Sequence, residues 1–245
     1  ISLDAFFGLE KILLPPLPPN IKQLYLPGKI FMEDDTTSYW NSDNLSRLTH
    51  LNVQDGFKIF SYPLFSLQQL EYLDIRCKNY ADYPSAVDQH CAKLKYLSIR
   101  QRYLNPLLYN FESNFPAIET FVILRADSSS LDCYLKTIIS STTLKCLVID
   151  YCHNKPFSNI ENELKSSIEE LKLVDVYWDF VTNFLEIGRF SCLKKLHLKI
   201  IDDDLDFQDV FEKLSSFPQL TSLTLIGGFS FSNEQLPFTL EELKF

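Results

Sequence analysis

Ten times along the chain the pattern apolar-x-x-apolar-x-apolar returns. Its first and fourth positions are Ile21/Leu24, Leu48/Leu51, Leu70/Leu73, Leu94/Leu97 and Ile118/Phe121. The series continues as Leu144/Leu147, Ile168/Leu171, Leu193/Leu196, Leu220/Leu223 and Leu240/Leu243. Successive copies start between 20 and 27 residues apart. Within a copy the residues alternate: in Leu94 to Arg100, Leu97 and Ile99 point one way and Tyr96, Ser98 and Arg100 the other, the period of two of a strand. A sustained period in the twenties belongs to a solenoid, in which no turn can bury its apolar side alone. The pattern therefore predicts an α/β solenoid, an arc or horseshoe with a parallel sheet on its concave face and helices or irregular segments on its convex face. The fourth positions, from Leu24 to Leu243, form the predicted apolar spine.

Between strands, Leu131 to Ile139, Trp178 to Ile187 and Leu205 to Leu214 place apolar residues at helical spacing. Pro63, Pro84 and Pro106 break other connectors. The N-terminus departs from the period. Leu9 to Leu14 looks like another copy, but Pro15-Pro16-Leu17-Pro18-Pro19 leaves too few residues for a full turn. Residues 1–20 are thus expected to be a cap or a compressed first repeat, and residues 21–245 one repeat domain of about ten copies.

A net charge of −9 and a pI near 5.0 argue against nucleic acid as a partner, because tracking a phosphate backbone needs clustered Lys and Arg. No apolar run approaches the roughly 18–20 residues of a membrane span. The start, Ile1-Ser2-Leu3-Asp4, has neither the basic region nor the apolar core of a signal peptide, and beginning with Ile it is expected to be a piece of a longer protein. Six cysteines (Cys77, Cys91, Cys133, Cys146, Cys152, Cys192) are scattered through the repeats. Without cysteine-rich ends they read as reduced thiols of a cytoplasmic or nuclear protein.

Little catalytic chemistry is expected. Asp202-Asp203-Asp204-Leu205-Asp206 lacks the glycine and bidentate Glu of a calcium loop, and Asp204 suits a helix N-cap. Cys146, Cys152 and His153 lack a second ligand pair at zinc spacing. No nucleophile motif surrounds the four histidines, and Gly227-Gly228 lacks the remaining residues of a phosphate loop. No catalytic residue, metal or cofactor is expected, so the chain reads as a binding protein rather than an enzyme.

The copies resemble leucine-rich repeats, with L-x-x-L-x-L matched in form over about nine-tenths of the chain. Only Leu144 to Cys152 has the ninth-position Asn or Cys of that family, at Cys152. Periods of 24–27 with helical connectors resemble the cytosolic, cysteine-containing class found in F-box proteins. That resemblance implies selection of substrates for a cullin ubiquitin ligase, with the F-box and its cullin adaptor reached through an upstream segment. Pro15 to Ile21 and Leu236 to Leu240 also resemble the L-P-x-x-L repeats of bacterial effectors and the FNIP-type repeats of amoebae. A secreted or pathogen-effector recognition protein is therefore the alternative reading, and an enzyme with an unrecognised site the rival class.

In leucine-rich repeats the outward strand residues form the usual binding surface, and the alternation maps it here to the third, fifth and seventh positions of each copy. Tyr72, Arg76, Tyr96, Arg100, Val122, Leu124 and Val148 form one expected patch, rich in the Tyr and Arg that dominate binding hot spots. Lys172, Lys195, His197 and Lys199 form a second, basic one. Arg76, Arg100, Lys172, Lys195, Lys199 and Lys244 outnumber Asp74, Asp150, Glu170 and Glu242 on this face. The expected partner is a protein presenting an acidic or phosphorylated segment.

Overall fold

The computed structural model describes residues 20–26, 46–53, 68–76, 91–100, 111–125, 135, 138–151, 164–201, 214, 216–227, 236 and 238–245. They belong to two compact units, Ile1–Ile118 and Glu119–Phe245. In each, successive repeats contribute neighbouring strands to a parallel sheet, so the chain is a parallel-sheet repeat solenoid with few helices.

The first unit holds β1 (Gln23–Leu26), β2 (His50–Val53), β3 (Tyr72–Ile75) and β4 (Tyr96–Arg100), paired in that order. A short helix, α1 (Phe111–Asn114), follows β4. The second unit contains β5 (Thr120–Leu124), β6 (Cys146–Asp150), β8 (Glu170–Val176), β10 (Lys195–Ile200), β11 (Ser222–Ile226) and β12 (Glu242–Lys244). These also pair in sequence order. A separate two-stranded sheet joins β7 (Leu164–Lys165) to β9 (Gly188–Arg189), and α2 (Trp178–Ile187) packs between β8 and β9.

Each strand of the two larger sheets begins at the third position of its copy, so the repeat pattern predicts their starts to the residue. The spine residues Leu24, Leu51, Leu73, Leu97, Phe121, Leu147, Leu171, Leu196 and Leu223 are buried. Leu243 departs from the prediction. It is only half-buried.

Three devices repeat with the strands. First, a tight turn precedes them: the N–H groups of Leu94, Ile118, Leu193 and Leu220 donate to the carbonyls of Cys91, Phe115, Phe190 and Phe217 at 3.1–3.2 Å. Pro116 and Pro218 occupy the turn position that their fixed φ suits. The buried turn residues Phe190 and Phe217 meet edge-on at 6.4 Å, and Phe184 of α2 stacks on Phe190 at 5.6 Å.

Second, one carbonyl at the second position takes two donors from the next repeat. Lys22 O accepts from Thr49 N and His50 N at 2.8 and 3.1 Å, and Glu169 O accepts from Lys194 N and Lys195 N at 2.8 and 3.0 Å. The side chains at this position tend to alternate in sign. Lys95 reaches Glu71 at 3.4 Å and Lys194 reaches Glu169 at 2.8 Å, while Thr49 and Thr221 instead donate to Lys22 O and Lys194 O. Exposed pairs of this kind add little stability.

Third, left-handed backbone recurs at the eighth position in the second unit: Arg125 (φ 55°), Tyr151 (φ 58°) and Gly227 (φ 143°) directly follow β5, β6 and β11, while Asp175 (φ 51°) lies inside β8. Only glycine adopts this freely, and a bulky side chain there costs about 1–2 kcal/mol. In β8 the residue after Val174 is accommodated as a register shift against β10.

Of the three predicted helices, Trp178–Ile187 forms as α2 with Phe180, Val181, Phe184 and Leu185 buried. Leu135, Ile138 and Ile139 are helical and buried, as is Leu214. The remainder of those two segments, residues 1–19, the acids Asp202–Asp206, and Cys77, Cys133, Cys152 and His153 lie outside the described residues. Leu147→Ala should destabilise the second unit by about 2–5 kcal/mol, whereas Gly227→Val should cost about 1–3 kcal/mol through backbone strain alone, since φ 143° suits glycine and not a β-branched residue. Urea unfolding followed by circular dichroism would test both; a Leu147→Ala loss under 1 kcal/mol would contradict the spine.

Candidate functional site

Uniform register turns equivalent positions into straight columns. In the first unit His50, Tyr72 and Tyr96 are register partners at the third position. Their rings stack at 5.6 Å and 17° and then at 4.2 Å and 7°. A spacing near that of neighbouring strands leaves rings on adjacent strands face to face. His50 is held by Thr49, whose Oγ1 lies 2.9 Å from Nδ1. Burial, followed by the neighbouring Tyr96 and Asp74, keeps the Tyr72 phenol neutral well above its ordinary range.

Beside the rings the fifth positions of β3 and β4 are buried rather than displayed, whereas Tyr25 of β1 is exposed. Asp74 and Ser98, register partners, are each only 1% exposed. The Asp74 carboxylate accepts from Asn52 Nδ2 at 3.1 Å and from Arg76 Nε at 3.1 and 3.3 Å, with Arg76 Nη2 also at 3.1 Å. That fork fixes a guanidinium whose side chain remains 45% exposed; the bond to Asp74 raises its pKa further. The Ser98 hydroxyl is the one buried side-chain polar atom without a partner among the described residues. Flat alternation on a solvated sheet had predicted Ser98 outward and exposed. It points to the outward face, but that face is sheltered at the fifth positions of β3 and β4.

The other residues of the first expected patch that lie in the second unit are differently placed. Val122 and Val148 are register partners at the fifth position, with Val122 buried and Val148 half-buried. Leu124, half-buried, pairs with Asp150 at the strand ends. Arg100 closes β4.

The basic patch also assembles, since Lys172, His197 and Thr224 share the fifth-position column and Lys195 and Lys199 flank His197 on β10. Carboxylates intervene, however. Lys172 pairs with Glu170 at 2.7 Å, Lys199 with Asp175 at 2.7 Å, and Lys244 with Glu242 at 2.6 Å. Burial first, then Lys172 and Lys199, lower the His197 pKa, so the ring is kept neutral. Acids two positions earlier on the same strand face the same way, which explains why Glu170, Glu242 and Asp74 find Lys172, Lys244 and Arg76. The surplus of positive charge on this face is therefore largely matched locally, and Arg76 differs in being anchored by a buried acid.

Cys91, Cys146 and Cys192 are free thiols. Burial pushes Cys91 up to about 12 and also raises Cys146. Among the described residues no group of three or more His, Cys, Asp or Glu could hold a metal ion, and no helix is long and apolar enough to cross a membrane.

Sequence reasoning missed the anchoring of Arg76. Its signal was present: Asn52, Asp74 and Arg76 occupy fifth, fifth and seventh positions of adjacent copies. Compared with known proteins, the chain matches no family model, and no curated protein or solved structure is similar to it.

Because the folded state disfavours Tyr72 phenolate, that stabilisation is complete below the ordinary tyrosine pKa of 10.0 and is lost as pH rises above it. Stability should fall faster above pH ~10 in the native chain than in Tyr72→Phe; equal slopes in pH-resolved urea unfolding would refute this. Ser98→Ala removes an unmatched buried hydroxyl and should be neutral or stabilising by up to about 1 kcal/mol. A loss above about 1 kcal/mol would mean that the hydroxyl has a partner.

Proposed function

We propose that this chain is a protein-recognition module of the leucine-rich-repeat kind, with its helical connectors on the convex side and its partner docking on the displayed sheet face of the first unit. The observation that carries the reading is the stacked His50–Tyr72–Tyr96 column beside Arg76, which the buried Asp74 fixes in place. Aromatic rings and Arg lose little conformational freedom on binding when they are already held, which is the property of interface hot spots. An immobilised, half-exposed guanidinium donates its remaining N–H groups to carboxylate or phosphate oxygens. The partner is thus a protein with an acidic or phosphorylated segment, and the module works by binding, without catalysis or cofactor.

Repeat length and free thiols support the cytosolic, F-box-associated class, in which the module would select substrates for a cullin ubiquitin ligase in the cytoplasm or nucleus. Affinity purification of the full-length protein, read by mass spectrometry, tests both levels. The expected result is a cullin adaptor together with a client whose recovery drops at least tenfold with Arg76→Glu and with Tyr96→Ser. Clients recovered equally by both variants would overturn the assigned surface, and absence of any cullin adaptor would remove the ubiquitin assignment while leaving the surface intact.

A further inference from the structure

Among the described residues β12 pairs with β11 alone, so its other edge is open there. Its inner residue Leu243 and the Leu240 before it are half-buried, where the equivalent Leu223 and Leu220 of the preceding copy are buried completely. On the displayed side Glu242 and Lys244 are exposed. Lys244 Nζ lies 2.6 Å from Glu242 Oε1, and Ser222 Oγ donates to Glu242 Oε2 at 2.7 Å.

The ladder fixes where the backbone groups of β12 point. The Glu242 N–H turns toward β11 and donates to Thr221 O at 2.9 Å. In a parallel pair successive residues turn their N–H and C=O to opposite sides. Leu243, the register partner of Leu223, therefore turns both groups to the open edge. The Glu241 N–H is also taken by Thr221 O, so what the edge offers is centred on Leu243.

We infer that β12 is a dimerisation edge, separate from the recognition face of the first unit, and that its occupant is β12 of a second copy, laid antiparallel about a two-fold axis at Leu243. Backbone parity favours this geometry. Leu243 set opposite the partner's Leu243 exchanges two N–H···O bonds with it, as a hydrogen-bonded antiparallel pair requires. A one-residue slip would set Leu243 opposite a residue whose backbone faces β11, and both bonds would be lost.

Charge favours the same geometry. In that register each Glu242 lies across from the partner's Lys244, in the non-hydrogen-bonded pairs whose Cα atoms approach to ~4.5 Å. Opposite charges directly across two strands stabilise the pair, and like charges oppose it. Parallel pairing in register would set Glu242 against Glu242 and Lys244 against Lys244. A lone lysine on an edge strand deters a second edge; Glu242 two residues earlier turns that deterrent into a preference for one arrangement. With the axis perpendicular to the sheet, the two Leu243 side chains meet on the inner side and carry one copy's spine into the other. Such a contact is self-complementary and closes at two copies. Three residues a strand make a small interface, so association is weak and concentration-dependent.

Sedimentation of the full-length protein over a range of concentrations tests the inference. The expected result is a reversible monomer–dimer equilibrium. Glu242→Lys and Lys244→Glu should each weaken it at least tenfold, and an equimolar mixture of the two variants should associate. Exchanging both charges in one chain should restore dimerisation, since the two-fold then pairs them again. Leu243→Pro removes the N–H that faces the edge and no bond to β11. It should abolish the dimer while circular dichroism and melting temperature hold, both read at dilutions where the native chain is monomeric. A protein that stays monomeric would overturn the inference, whether its edge is bare or covered by another segment of its own chain. So would a dimer that tolerates Leu243→Pro, or a double exchange that fails to dimerise when both single variants are impaired.

Discussion

The shared carbonyl at the second position of each repeat is the constraint on which the remaining geometry rests. One oxygen receives two N–H groups from the following repeat, and it does so at each described junction within both units. A single acceptor with two fixed donors leaves no freedom to slide by a residue, and a one-residue slip would turn every spine leucine outward. The connectors differ in length by several residues, yet the strands they deliver begin at the same repeat position. Variation is confined to the return segments, and the sheet absorbs none of it.

Columns are the result of that uniformity, and what a column becomes depends on its side chains. Rings at the third position stack because neighbouring strands set them at a stacking distance. Acids placed two residues before a base on one strand pair with it, which is why the lysines of the second unit's displayed face are mostly matched while Asp74 is used to hold Arg76. The same register that buries an apolar spine on one side thus arranges charge and aromatic surface on the other. Neither property needs a pocket or a catalytic group.

The apolar repeat made the strands of the larger sheets legible, since Leu, Ile and Phe at first and fourth positions have only one way to be buried together, whereas β7 and β9 carry no copy of it. The face was legible as a set of residues, but not as an environment. Asp74 and Ser98 read as solvated because alternation gives direction and says nothing about what shelters an outward residue. A charge total over the whole face says nothing of the Lys172–Glu170 and Lys199–Asp175 pairs, the second of which draws on an acid outside that face's positions. The left-handed eighth positions were illegible for a different reason: a left-handed residue announces itself through glycine, and Arg125, Tyr151 and Asp175 are not glycine. The turns before the strands carried a signal in Phe115-Pro116 and Phe217-Pro218, whose proline stands where such a turn wants it.

The second-position charges bear on how such an array can change its length. In the second unit they run Glu119, Lys145, Glu169, Lys194. Excising the copy that contains Glu169 would set Lys145 beside Lys194, and duplicating it would set two glutamates side by side. Removing or adding two adjacent copies restores the alternation. A change of repeat number by one thus sets like charges side by side at a junction, at the small cost of an exposed pair, and it sets none where a neutral residue such as Thr49 or Thr221 breaks the series.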